Sequence, residues 1–309
     1  MDFIEEPSVA IILVNWNGYD LTQICIHSIF KINYKNYRVI LVDNASADQS
    51  GAKLKIEFGD TIDYIQNEYN LGFSGGNNVG IRYALERRFE YVMELNNDTE
   101  VDPDFLTRLI NSIHEKDEYG AAQPLILYTA DKSKIWNAGG VYNSVLGLSF
   151  TREKNKSNDK NLSSKDTDWI TGCCFLMKAE VVKQAGLLKE VFFFGSFEDV
   201  DMSLRIRELG YKLWYEHSAV IYHSVGQSSK SKVKGKEGYL NSKLHYLVNR
   251  NQMFFIRMHV DGVFLPIAYL IQIFKMLLYS VYFLGRWRPK KFIDALKGFY
   301  HGITESYEN

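Results

Sequence analysis

The 309-residue chain holds only three cysteines and five prolines. Cys25, Cys173 and Cys174 are an odd number, two of them are sequence neighbours, and no CxxC pair occurs. Neither a disulfide framework nor a structural zinc site is therefore expected. Scarce proline beside 22 glycines excludes collagen-like and proline-rich architectures. An excess of either charge is also missing: 36 basic residues face 37 acidic ones, a net charge of −1. Such a balance gives no general drive toward nucleic acid, and a hydrophobic content of 46% excludes a disordered chain. The start is acidic, and the run Val-Ala-Ile-Ile-Leu-Val at 9–14 is too short for a signal peptide. The expectation is a reducing, cytoplasmic setting with no nucleic-acid partner.

What is present is a rhythm of strands and helices. Residues 9–14 form a continuous β-favouring run, broken by Asn15-Trp-Asn-Gly18, and a helical period follows over 21–32. Strands are expected at 38–42, 62–66 and 91–95. A glycine-rich stretch at 72–80 leads into a helix over 79–87. This alternation predicts an α/β fold around a mostly parallel sheet, with ligands at the strand ends. After Pro124 the pattern reads as a hairpin or meander at 135–148, a polar flexible loop at 152–168 and a strand at 169–178. A helix over 198–209, strands at 213–215 and 219–222, and a mobile Lys-rich loop at 228–238 follow.

Polar residues gather where the strands end. Asp43, beside Asn44 and Ser46, can accept an imide N–H of a nucleobase or cap a helix. The glycines of Asn70-Leu-Gly-Phe-Ser-Gly-Gly-Asn-Asn78 permit close backbone approach to a ribose or phosphate, without a P-loop ending. Asn96-Asn-Asp98 can hold a hard cation, since Mg²⁺ and Mn²⁺ prefer oxygen ligands, or can form an Asx turn into a helix. Phe197-Glu-Asp-Val-Asp201 places three carboxylates at a helix start, more than the helix dipole needs, so one is available as a general base. His223 ends a strand as either a structural residue or a metal ligand.

Taken together these stretches resemble the rhamnosyltransferase-type branch of glycosyltransferase family 2. The matching segments also include Trp169-Ile-Thr-Gly172 and His223-Ser-Val-Gly226, and the resemblance covers the first three-quarters of the chain. It implies a single nucleotide-sugar-binding, Rossmann-like domain of GT-A type over 1–228, with a helical extension over 229–309. It further implies an inverting enzyme that moves a sugar, foremost rhamnose from dTDP-rhamnose, onto a glycan or lipid-linked saccharide acceptor. By the same resemblance Asp199 is the base, with Glu198 orienting it or the acceptor. Asp98 and His223 hold Mg²⁺ or Mn²⁺. The nucleotide sugar would be bound by Asn15, Asn17, Asp43, Asn44, Asn70, Gly72, Gly76, Asn77, Asn96, Asn97, Asp98, Trp169 and Gly172. Asn96 stands where the family commonly has Asp, which would make the cation depend on the bound diphosphate. A non-catalytic nucleotide-sugar-binding subunit is the alternative.

The C-terminal segment is different in kind. Between 263 and 284 only Gln272 and Lys275 are strongly polar, and they fall with Tyr269, Tyr279, Tyr282 and Arg286 on one helical stripe. The basic aromatic cluster Arg286-Trp-Arg-Pro-Lys-Lys291 follows. Region 253–291 is expected to lie in or on the inner leaflet of a membrane, making the protein peripheral at its cytoplasmic face. Packing on the body, or a homodimer contact, is the other reading.

Overall fold

The computed structural model describes residues 6–158, 162–193, 196–224, 230–235 and 238–307, and between 230 and 240 it describes the backbone alone. In chain order the first half comprises β1 (Val9–Asn15), α1 (Tyr19–Ile29), β2 (Tyr37–Asp43), α2 (Ser50–Phe58), β3 (Asp63–Gln66), α3 (Gly72–Glu86), β4 (Tyr91–Leu95), β5 (Thr99–Val101) and α4 (Phe105–Ile113). Then come β6 (Tyr119–Tyr128), β7 (Asp131–Asn137), β8 (Gly140–Asn143), β9 (Leu148–Thr151), β10 (Lys165–Thr167), β11 (Cys174–Lys178), α5 (Ala179–Ala185), α6 (Glu198–Glu208) and β12 (Lys212–His223). The chain closes with β13 (Lys230–Gly235), β14 (Gly238–Leu240), α7 (Ser242–His259), α8 (Leu265–Gly285) and α9 (Pro289–Thr304).

Ten strands make one sheet in the order β10-β12-β6-β11-β4-β1-β2-β3, with β5 added to β12 and β7 to β6. The run β4-β1-β2-β3 is parallel, and β11 lies antiparallel between β4 and β6. The chain leaves β1 for β2 on one side, while β4 enters on the other. A crevice therefore opens at the carboxyl ends of β1 and β4. β1 is buried on both faces because its residues alternate between two cores. Val9, Ile11 and Leu13 meet α1 and α4, whereas Ala10 and Ile12 meet α3 and its neighbours.

Several local expectations are corrected. The glycine-rich stretch is not a loop before a helix: α3 already begins at Gly72. A Cβ at Gly80 would stand 2.5 Å from Ile12 Cγ2, and one at Gly76 would stand 2.9 Å from Val14 Cγ1. These glycines let the helix approach the sheet. Of 169–178 only the last five residues are a strand, since Thr171 and Gly172 give their N–H groups to Gln123 and Asp199 instead of a ladder. The polar stretch 152–168 contains the edge strand β10, paired with β12. The Asn96–Asp98 turn leads into β5, not directly into a helix. Of the Lys-rich stretch 228–238, β13 pairs antiparallel with β14. Its residues 228, 229, 236 and 237, like Val225 and Gly226, lie outside the described residues.

The C-terminal helices are packed onto this body. Phe254 and Phe255 of α7 share a core with Trp169, Phe192, Val200 and Leu204. Ala295, Gly298 and Gly302 line the buried side of α9, where a Cβ at Gly302 would meet Arg250 O and Met253 Cβ at 2.6 Å. α8 runs along α7, with Ala268 among Met253, Ile256 and Val260 at one end and the Phe283 ring 5.0 Å from His245 at the other. A boundary at 228 thus divides the chain without dividing the core.

Candidate functional site

A cleft of about 700 Å³ opens at the crevice between β1 and β4. Its walls include Asn17, Asn44, Asn70, Gly72, Asn77, Asn96, Asn97, Asp98, Trp169, Gly172, Glu198, Asp199 and His223, so most of the expected site residues converge there. Asn15, Asp43 and Gly76 do not line it. Gly76 faces Val14, as described above. Asn15 is fully buried and donates through Nδ2 to Asp43, Ser46 and Ser50. The Asp43 carboxylate accepts from Asn15 Nδ2 and Ser46 Oγ at 2.7 Å, from Ser46 N at 3.0 Å and from Gln66 Nε2 at 2.9 Å. A nucleobase read by Asp43 would have to replace one of these donors.

The asparagines shape one end of the cleft. Asn44 gives its amide to Asn70 Oδ1 and Gly72 O, and accepts from Asn67 Nδ2 and Leu71 N. Asn17, in a left-handed conformation with φ 52, accepts from the N–H groups of Ala47 and Asp48. Asn77 donates to Phe73 O, and Asn97 to Thr22 Oγ1. Apart from the Asn77 bond, which lies within α3, these bonds hold loops in place, because backbone without a ladder needs side-chain partners to stay fixed.

Across the cleft floor His223 Nε2 lies 3.0 Å from Asp98 Oδ1, with the His223 ring in edge contact with Trp136 at 4.5 Å. β12 delivers the histidine and the turn after β4 delivers the aspartate, two strand ends far apart in sequence. Among the described residues no group of three or more His, Cys, Asp or Glu side chains is arranged to hold a metal ion. One carboxylate oxygen and one imidazole nitrogen side by side nevertheless suit Mg²⁺ or Mn²⁺, provided a bound diphosphate and water complete the shell.

The acidic end of the cleft has two carboxylates, and a third, Glu94, which sequence reasoning passed over, is buried in the sheet behind them. Asp199 is half-buried and accepts from Gly172 N at 3.0 Å and from Val200 N at 2.8 Å. Burial raises its pKa, while the Gly172, Val200 and Thr171 hydrogen bonds pull the other way. Glu198 is 4% exposed, and its Oε2 has no hydrogen-bond partner. Its pKa is raised well above the usual carboxylate range by burial and then by the Asp199 charge. Glu94 of β4 is fully buried with both oxygens unpartnered, and burial, then the Asp199 charge, pushes it to about 8. The available signal was a single carboxylate in an otherwise apolar central strand. The third acid of the helix start, Asp201, is structural. It accepts from Arg205 Nε at 2.9 Å and lies 2.8 Å from His259 Nε2 of α7.

The turn that presents Glu198 and Asp199 is strained and braced. Phe197 has φ 79, a conformation that bulky residues rarely adopt, and its ring stacks on Phe255 of α7 at 5.1 Å. Leu244 and Val248 of the same helix line the cleft. Sequence reasoning kept this helix apart from the site.

The architecture is that of the GT-A α/β fold, which solved structures share. A crystal structure of GalNAc-T7 with UDP, GalNAc and Mn²⁺ matches 81% of this chain and 48% of its own, with a TM-score of 0.60 at 17% identity. The mannosyltransferase PcManGT of Pyrobaculum calidifontis, in complex with GDP-Man and Mn²⁺, matches 98% of this chain and 89% of its own, with a TM-score of 0.57 at 14% identity. The model of glycosyl transferase family 2 matches residues 10–186, and the chain belongs to that family. It is 31% identical over 172 residues to the low-salt glycan biosynthesis hexosyltransferase Agl10 of Haloferax volcanii, covering 54% of this chain and 52% of that protein. It is 21% identical over 236 residues to the poly-beta-1,6-N-acetyl-D-glucosamine synthase of Staphylococcus epidermidis, covering 74% of this chain and 54% of that protein. The chain thus spans about half the length of these relatives.

Proposed function

We propose that the chain is an inverting glycosyltransferase that moves a hexosyl unit from a nucleoside-diphosphate sugar to a glycan or lipid-linked saccharide, working at the cytoplasmic face of a membrane. The observation that carries this reading is the meeting, in one cleft, of the Asp98–His223 pair with the Glu198–Asp199 pair. The nucleotide belongs along Asn17, Asn44 and Asn70, and the sugar between Trp136 and Trp169. dTDP-rhamnose is the first donor to test, and UDP- and GDP-sugars are the alternatives.

Asp98 and His223 would hold Mg²⁺ or Mn²⁺, which when bound offsets charge on the departing diphosphate. Asp199 takes the acceptor hydroxyl proton as that oxygen bonds to the anomeric carbon and the diphosphate oxygen leaves. The Asp199 carboxylate accepts from Gly172 N on one oxygen and from Val200 N on the other, with the Thr171 side chain also bonded to it. Its raised pKa brings the base nearer to working pH, where proton transfer is most effective. Gly172 and Val200 fix the direction of the lone pairs, and fixed geometry can supply ~7–11 kcal/mol of a bimolecular barrier. Trp169, only 7% exposed, helps exclude water from the sugar end.

The test is donor turnover by Asp199→Asn. Transfer, and slow hydrolysis of the donor, should fall by roughly 10²–10⁴. The rise in melting temperature produced by the matching nucleoside diphosphate with Mn²⁺ should persist, because ligand binding to the folded state stabilises by mass action. Normal turnover by the variant would remove Asp199 as the base. A nucleotide shift without any turnover by the parent chain would favour a non-catalytic binding subunit.

A further inference from the structure

Most of the exposed large apolar side chains among the described residues lie between 263 and 303, on the outer faces of α8 and α9 and the turns beside them. Leu270, Phe274, Leu277, Leu278 and Val281 are between 53% and 76% exposed. They recur every three or four residues, which makes one stripe along α8. Trp287 ends the stripe at 89% exposure, in a left-handed conformation with φ 53. On α9 Ile293, Leu296 and Tyr300 continue the exposed apolar surface. Monomeric soluble proteins rarely leave so large a patch uncovered.

Charge identifies the cover. From 262 to 293 the sequence has no carboxylate and five cations, of which Arg286 and Lys290 are exposed, Lys275 and Arg288 half-buried and Lys291 buried. A mainly apolar cavity of about 450 Å³ beside the stripe is lined by Leu278, Tyr279, Tyr282 and Phe283, with Arg288 and the buried Lys291 as its cations. An apolar stripe, a tryptophan and a one-signed basic cluster together match an anionic bilayer surface, with acyl chains against the stripe and headgroups at the cations. A second copy of the chain would bring its own cations against these.

The packing sets the orientation. α8 has 21 residues, about 30 Å at 1.5 Å per residue, enough to cross a bilayer. Both of its ends are nonetheless fastened to α7, through Ala268 and Phe283, and α7 is built into the core beneath the cleft. Crossing would require α8 to leave α7. Its inner face, moreover, buries Gln272.

We propose that α8 and α9 form an in-plane docking face for an anionic phospholipid membrane, held by α7 one helix layer from the cleft. This holds whichever reaction the cleft carries. The test is flotation of the full chain with vesicles of phosphatidylcholine alone or mixed with phosphatidylglycerol. The parent chain should bind the mixed vesicles at least tenfold better, and alkaline carbonate should release it. The Leu277→Glu/Val281→Glu variant changes exposed side chains only, so its melting temperature should match the parent while binding is lost. Arg286→Glu/Arg288→Glu should lower binding to mixed vesicles roughly tenfold or more. Equal binding to both vesicles, no binding, or resistance to carbonate would overturn the proposal. So would a lipid-free dimer that Leu277→Glu/Val281→Glu dissociates, since a second copy would then own the face.

Discussion

Glu94, buried in the sheet outside the cleft lining, is an acid whose environment can be tested apart from catalysis. It sits in the centre of the sheet with no hydrogen-bond partner, so it folds as the neutral acid. In the unfolded chain it ionises near 4.5, and in the folded chain near 8. Between these values the folded state holds a proton that the unfolded state has released, so stability falls as pH rises and stays lower above about 8. The slope is up to ~1.4 kcal/mol per pH unit for one such group. Asp199 and Glu198 are raised as well and contribute with the same sign. Glu94→Gln should therefore melt near the parent temperature at about pH 5 and above it at about pH 8. Two melting curves that stay parallel over that range would place Glu94 in a solvated or paired environment. The residue scale also explains what could be read in advance. That Asp98 and His223 meet was legible because strand ends of such a sheet converge whatever the side chains do, whereas Asp199 reaches the cleft from the first turn of α6. Asp43 also ends a strand, but whether its carboxylate faces the cleft depends on Asn15, Ser46 and Gln66, which come from three different segments.

At the scale of elements, the alternation of strands and helices through β4 was legible because burial on both sheet faces forces continuous apolar strands. The glycine-rich stretch misled because glycine lowers helix propensity by about 1 kcal/mol, and only the contact with β1 shows why it is tolerated inside α3. Asn78 makes the same point, since its amide bridges to Leu188 O and Glu190 from within that helix. Gly80→Ala tests this account, because Gly80 has no positive φ to complicate it. Alanine offers up to ~1 kcal/mol of propensity. Its Cβ would lie 2.5 Å from Ile12 Cγ2, on a β-branched side chain buried in the sheet. Overpacking of this kind costs ~1–3 kcal/mol, so denaturant unfolding should show net destabilisation. Combining it with Ile12→Ala should give less loss than the sum of the two single changes. A stabilised Gly80→Ala chain would mean that the helix–sheet spacing is not set by this contact.

For the whole molecule, the question is whether the C-terminal helices are an appendage or part of the catalytic body. Three contacts tie α7 to the α6 turn that carries the proposed base: Phe255 on the Phe197 ring, His259 on Asp201, and Asn251 donating to Ser196 O. Asp201 is fully buried, and its pKa is held low because the His259 hydrogen bond and the Arg205 and Lys189 charges outweigh its burial. A buried carboxylate that loses one of its hydrogen-bond partners is left undersatisfied, which costs about 1–3 kcal/mol. A chain ending at Leu240 would lose His259 and uncover Trp169, Phe192, Val200 and Leu204, now covered by Phe254 and Phe255. It would also lose the Leu244 and Val248 wall of the cleft. The strained φ at Phe197 would then lack the ring that braces it. The expected result is a truncated chain that aggregates or melts without a cooperative transition and hydrolyses no donor. Leu277→Glu/Val281→Glu, which alters only the outer face of α8, should by contrast keep donor hydrolysis in the absence of lipid. Cooperative melting of the truncated chain near the parent temperature, with donor hydrolysis intact, would show that the cleft is complete without α7.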